Sequence, residues 1–352
     1  MLVSRCSTGI QFSRTAARFR LLATVSPSFI PTRQPPPPPT PVVPDKPEPS
    51  YIDSQILKKL DGQPQTGPSL SDIIGHYIDQ TGNVLDVVLP YESLPSPERR
   101  IKFEDTVSSK EIVTVAHCVK NGEDHRIGLS SGFAVNAPAL RKGEKLIVTC
   151  AHTLEQIRAS SLLIPKEFPP PDTSHHPLTG TFICIGLQNS MKIYPATEIV
   201  SSLPRSDVIL ISCELPEGAL KTLPLSPYPL HAGAPIRAHF VSHKKPSDDQ
   251  GWSPWIGDTW ARWAKGNVLG YRDFSGRETK PGTYDSLSHM LFTPSPTGGS
   301  SGGPIVDEET GAVVGMMLGS RMDDHVQGAR GWGIPSETIY EMFTLPGLES
   351  KK

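Results

Sequence analysis

From about residue 107 onward the chain is divided into short apolar runs rich in Val and Ile. They are Ile112–Val119, Ile127–Val135, Leu146–Cys150, Thr181–Leu187, Val208–Cys213, Ile236–Val241, Asn267–Tyr271, Ser288–Phe292, Ile305–Val306, Val313–Leu318 and Gly331–Ile334. Connections bearing proline and glycine separate them. Many short strands with such turns build an all-β sandwich or barrel, not a sheet wound through alternating helices. No internal repeat is evident.

The N-terminal third has a different character. Residues 1–44 contain no Asp or Glu and carry Arg5, Arg14, Arg18, Arg20 and Arg33 among serines. Ile10, Phe12, Phe19, Leu21 and Leu22 can form an apolar face. An acid-free, Arg- and Ser-rich amphipathic stretch has the composition of a mitochondrial transit peptide, here assigned to residues 1–30. A secretory signal needs a continuous apolar core, which is missing. Residues 31–50 hold Pro35 to Pro39, then Pro41, Pro44, Pro47 and Pro49, the makings of an extended, solvated linker. Residues 51–106 form an extension with one short helix, Ser69 to Thr81. There Leu70, Ile73, Tyr77 and Ile78 share a face, Ser69 and Asp72 form a capping pair, and Gly82 is a stop. The segment Leu162–Pro177, with His175 and His176, reads as a surface insertion.

A net charge of -2 gives no reason to expect nucleic acid as a partner. No apolar run approaches the roughly 20 residues of a membrane span. The five cysteines, Cys6, Cys118, Cys150, Cys184 and Cys213, lack zinc-site spacing and fit a reducing compartment rather than a disulfide framework. No metal or cofactor is expected.

The stretch Pro296-Thr297-Gly298-Gly299-Ser300-Ser301-Gly302-Gly303-Pro304 reads on its own either as a Gly/Ser-rich hairpin loop or as the turn of a nucleophile. Glycines on both sides of a serine allow a sharp turn and let the Gly299 and Ser301 amides converge on one point. Nucleophilic acyl transfer needs such a hydroxyl, with N–H donors where an oxyanion forms. It also needs a base, and two histidines stand in strand-like contexts: Val115-Ala116-His117-Cys118 and Thr149-Cys150-Ala151-His152.

Thr149-Cys150-Ala151-His152 resembles the T-x-A-H segment of trypsin-like (chymotrypsin-fold) serine proteases. Ser131-Gly132-Phe133 resembles the strand before that histidine in the HtrA-like branch. Ser206-Asp207-Val208-Ile209-Leu210 is similar to the segment bearing the family's aspartate. Gly299-Ser300-Ser301-Gly302-Gly303-Pro304 resembles G-[DN]-S-G-G-P, and Gly331-Trp332-Gly333-Ile334-Pro335 resembles the G-[FY]-A-I-P strand of HtrA-like domains. Together these cover roughly residues 107–345.

The resemblance implies two antiparallel six-stranded Greek-key β-barrels, about residues 107–222 and 223–345, with the crossover in Leu215–Gly233. It implies His152, Asp207 and Ser301 as catalytic residues and Gly299 and Ser301 as the oxyanion hole. His117 precedes the Ser131 strand instead of following it, so it is read as a partly buried structural residue. Ser295, Met317, Leu318 and Gly319 are expected to bind the substrate residue before the scissile bond, in a neutral pocket taking small or medium apolar side chains. Ser300 departs from the Asp of secreted trypsins, which argues against activation by a newly cut N-terminus. Only about 17 residues follow Pro335, so no PDZ domain is expected. The four tryptophans of Trp252–Trp263 are read as loop packing. The expected function is a mitochondrial serine endopeptidase acting on polypeptides. The alternative is a catalytically silent barrel pair that binds peptides. The oligomeric state is not legible.

Overall fold

The computed structural model describes residues 49–62, 68–103, 110–137, 143–163, 177–188, 190–247, 251–324 and 328–348. The expected transit peptide, nearly all of the proline linker, and His175 and His176 lie outside the described residues.

Six strands form the first barrel: β1 (Ile112–Asn121), β2 (Asp124–Val135), β3 (Glu144–Cys150), β4 (Leu178–Ile185), β5 (Lys192–Leu203) and β6 (Val208–Glu214). They pair antiparallel in the order β1-β4-β5-β6-β3-β2, and β1 closes on β2. The two-residue β7 (Thr222–Leu223) then adds in parallel to β2. The second barrel follows with β8 (Pro235–Ser242), β9 (Ser253–Pro254), β10 (Trp260–Arg272), β11 (Glu278–Thr279), β12 (His289–Phe292), β13 (Pro304–Asp307), β14 (Val313–Asp324) and β15 (Gly328–Pro335). Its closed circuit is β10-β12-β15-β14-β13-β8, with β8 returning to β10; β9 and β11 are short additions to β10. The fold is therefore two closed six-stranded antiparallel barrels.

β1 explains why the extension matters. Its first eight residues are all buried, which a strand exposed on one face cannot be. Val113 and Val115 cluster with Leu70, Ile73 and Tyr77 of α2 (Leu70–Asp79). Ile112, Ala116 and Cys118, on the opposite face, cluster with Ile52, Ile56 and Leu60 of α1 (Tyr51–Gly62). Each such aliphatic side chain contributes about 1.5–3 kcal/mol on full burial. α2 begins with the expected reciprocal cap between Ser69 and Asp72. α1 carries no comparable sequence signal. The Asp258 carboxylate accepts from its first amides, Tyr51 and Ile52, both at 3.2 Å.

The tryptophan segment packs as expected. Trp255 is fully buried, and Trp263 stands edge-on to Phe103 and to the buried His239. The four described cysteines are free and buried. No helix among the described residues is long and apolar enough to cross a membrane.

Candidate active site

The loop bearing Ser301 turns tightly because Gly299 (φ +91°) and Gly302 (φ +83°) adopt left-handed backbone. The Ser300 amide donates to the Thr297 carbonyl at 3.2 Å and the Gly303 amide to the Ser300 carbonyl at 2.9 Å. The first barrel then grips the loop. The Ser131 amide donates to the Ser301 carbonyl at 2.8 Å, and the Ser131 hydroxyl to the Gly299 carbonyl at 3.0 Å. Thr149 Oγ1 in turn donates to the Ser131 carbonyl at 2.7 Å. From the second barrel, the Met317 carbonyl accepts the Gly302 amide at 2.7 Å. Gly302 fits so closely that a Cβ there would collide with the Ser131 carbonyl oxygen and Thr149 Oγ1. With the carbonyls of Gly299 and Ser301 held by Ser131, the amides of these two residues donate to no acceptor among the described residues.

The two serines of the loop have opposite surroundings. Ser300 is fully buried and its hydroxyl accepts the Val241 amide at 2.9 Å, beside Thr297 Oγ1. Ser301 is half-buried and donates to the Leu318 carbonyl at 2.9 Å.

Asp207 sits in left-handed backbone (φ 56°, ψ 41°) at the end of the short 3-10 turn Pro204–Ser206 and directly before β6. One carboxylate oxygen accepts the Ala151 and His152 amides at 2.9 and 2.7 Å; the other meets His152 Nδ1 at 2.6 Å. His152 opens α3 (His152–Arg158), so a single carboxylate holds both the ring and the start of its helix. Cys150 Sγ lies 3.7 Å from His152 Nε2. Burial works against charge on the ring. The Asp207 hydrogen bond, with the Cys150 sulfur, outweighs it and lifts the His152 pKa to about 10. No hydrogen bond joins His152 to Ser301 in this arrangement.

His117 behaves otherwise. It is fully rather than partly buried in β1, with Nδ1 2.9 Å from Thr181 Oγ1 and Nε2 without a partner. Burial pushes its pKa down to about 3.

Of the expected specificity residues, Leu318 and Gly319 meet Ser301: the first through its carbonyl, the second because a Cβ there would stand 3.9 Å from Ser301 Oγ. Met317 is fully enclosed in the second-barrel core against Gly303, so it backs this wall instead of facing the cleft. Ser295 is half-buried, and the Ser301 hydroxyl bonds to Leu318 rather than to it. Ser131 and Cys150 were visible as members of motifs. Their roles as clamp and as neighbour of the base depend on contacts that only the closed barrels supply.

Residues 130–316 match the family described as trypsin-like peptidase domain. That span exceeds half of the chain and includes His152, Asp207 and Ser301; the chain belongs to this family. Among solved structures it is similar to the MamO protease domain from Magnetospirillum magneticum (apo form), at 13% identity and a TM-score of 0.39, covering 65% of this chain and 95% of that one. It is also similar to Deg5, at 16% identity and a TM-score of 0.41, covering 67% and 92% respectively. No curated protein matches by sequence.

Proposed function

We propose that this protein is a serine endopeptidase using Ser301, His152 and Asp207 through an acyl-enzyme. The observation that carries the reading is the double grip of Asp207. It binds the His152 ring and the amides of Ala151 and His152, so Nδ1 is committed to the carboxylate and Nε2, beside Cys150 Sγ, is the ring nitrogen left to exchange a proton. In the reaction, the Ser301 hydroxyl leaves the Leu318 carbonyl and turns toward His152. Its proton passes to Nε2 as Oγ bonds to the peptide carbonyl carbon. The negative oxygen falls between the Gly299 and Ser301 amides, which donate to no acceptor among the described residues. Collapse breaks the C–N bond, and His152 returns the proton to the leaving amine. Water then attacks the acyl-enzyme by the same route and frees Ser301. Catalytic hydrogen bonds commonly tighten only with substrate present, which accommodates the present Ser301 position.

That same position favours a second reading, a silent peptide-binding protein whose serine is never activated. Labelling by a fluorophosphonate probe separates the two. Stoichiometric labelling of the wild type, lost in Ser301→Ala and in His152→Ala, supports the peptidase. A peptide-binding protein that resists the probe overturns it.

For the residue before the scissile bond we infer small or medium apolar side chains, supported by the neutral stretch at Ser295 and the unobstructed lane at Gly319. A position-varied peptide library tests this; a dominant Arg or Lys signal refutes it. Location in the mitochondrion is supported by the acid-free, arginine-bearing N-terminus. A reporter fused to residues 1–50 that remains cytosolic refutes it.

A further inference from the structure

The strand face that meets Ser301 continues into a row of stacked rings ending in two arginines. Gly319 of β14, whose absent side chain opens toward Ser301 Oγ, pairs with Trp332 of β15, and Trp332 pairs with Leu291 of β12. Strand alternation puts Arg321 on the face of Gly319 and His289 on that of Leu291. The contacts agree. The Arg321 guanidinium lies 4.4 Å from the Trp332 ring centroid, and Trp332 stacks on His289 at 4.4 Å with an interplanar angle of 31°. His289 meets Phe274 edge-on at 5.6 Å, and the Arg205 guanidinium covers Phe274 at 4.0 Å. Arg205 stands two residues before Asp207, so the row runs from one barrel's lip to the other's.

Asp285, Glu337 and Glu341 line a cavity beside Phe274. Arg205 and Arg321 are exposed, and neither has an ion-pair partner among the described residues. Nearby Arg272, opposite His289, is already paired with Glu278 at 2.8 Å. His289 adds no positive charge of its own. Burial, and then the Arg321 charge, hold its pKa below the usual value despite Asp207. The middle of the row is therefore a neutral aromatic shelf with a cation at each end. Cation–π contacts fix both guanidinium planes while leaving their N–H edges open to a carboxylate.

Building on the peptidase reading, we propose that Arg205 and Arg321 select polypeptide substrates with acidic side chains on the N-terminal side of the scissile bond. That half of the substrate lies along β14, past Leu318 and Gly319, with the aromatic shelf beneath its extended backbone and the arginines engaging carboxylates at separate positions. No such preference could arise from the apolar pocket at Gly319.

The test uses peptides sharing one small apolar residue before the scissile bond, with Glu or isosteric Gln at each of the four preceding positions. The wild type is expected to favour Glu by about three- to tenfold in kcat/KM, mainly through KM, with the ratio falling as salt rises. Arg205→Gln/Arg321→Gln should bring the ratio to about one, whereas Arg205→Lys/Arg321→Lys keeps part of it. Equal rates for Glu and Gln peptides with the wild type overturn the inference, as does a ratio that survives in the double Gln variant. The same peptides are titrated against Ser301→Ala protein by fluorescence anisotropy. If the wild type cleaves nothing while Ser301→Ala still binds Glu peptides more tightly, the peptidase reading falls and the acidic selectivity stands. Cleavage without acidic preference keeps the peptidase reading and overturns the selectivity; binding without acidic preference overturns the selectivity alone.

Discussion

His117 and His152 each lie close to a cysteine at a strand, yet their surroundings make them different groups. β1 runs on past His117 and pairs on both sides, with β2 and with β4. The ring is sealed in, a threonine hydroxyl is its single hydrogen-bond partner, and burial keeps it neutral. β3 ends at Cys150, and His152 starts a helix at the barrel lip, where a carboxylate from the next strand's mouth takes hold of it. The same contrast recurs one loop away, where Ser300 is enclosed and Ser301 is open. A side chain's chemistry here depends less on its identity than on whether the backbone continues past it or stops.

The strongest way to break that comparison is to exchange the fates of the two histidines. His152→Ala and Ser301→Ala should each lower kcat on the order of 10⁴–10⁶-fold, with the double variant little worse, because the three groups act as a unit. His117→Ala should keep the chemistry and lose about 1–3 kcal/mol of stability. Steady-state kinetics with chemical denaturation checks both. Loss of kcat in a folded His117→Ala protein would reverse the assignment.

A smaller effect concerns Cys150. A general base must be neutral, and His152 is held charged, so kcat/KM should climb with pH toward about 10. Cys150→Ala removes one of the groups raising that pKa. It should move the rising limb to lower pH and increase activity near pH 7, about tenfold for each unit moved. A pH–rate profile unchanged by the substitution would show that Asp207 alone sets the base.

Ser300→Ala should cost less than tenfold in kcat, together with about 1–3 kcal/mol, because it strips the buried Val241 amide of its acceptor. Ser301→Ala, by contrast, should leave the melting temperature nearly unchanged. Calorimetry alongside turnover separates these two serines.

The finest distinction is in stability against pH. His152 has a raised pKa, so its contribution is full below about 6.5 and is lost as pH rises through about 10. His117 has a lowered one, so its contribution is full above about 6.5 and is lost as pH falls toward about 3. His117→Leu/Thr181→Val should therefore shrink the fall in Tm between pH 7 and pH 4.5 by a few degrees. An unaltered fall would assign the acid sensitivity elsewhere, with the equally buried His239 first in line.

Much of this was legible from residues alone. Alternating apolar runs with glycine and proline punctuation identify the barrels, and the ordered His, Asp and Ser segments point to the site. β5 escaped notice because Pro195 and two register shifts, at Ala196/Glu198 and Ile199/Ser201, break its alternation. α1 escaped because three isoleucine and leucine residues at four-residue spacing are a weak signal until Trp255 and Ile256 cover them. β10 starts at Trp260, earlier than its apolar stretch, because β8 pairs with residues that look like a loop. The shelf from Arg205 to Arg321 had no signature, since its five members come from five separate segments.

The clamp on Gly302 has a consequence for when the protein can first act. The loop around Ser301 is shaped from upstream by Ser131 and from downstream by the carbonyls of Met317 and Leu318. A chain leaving the ribosome folds its N-terminal part first. The first barrel can then close with His152 and Asp207 in place while the serine is still unmade. Even after Ser301 has emerged, its loop lacks a rear support until β14 has been synthesised and paired. On the proposed peptidase reading, competence waits for β14, so a chain that has emerged only through Ser301 does not yet hold an assembled nucleophile loop.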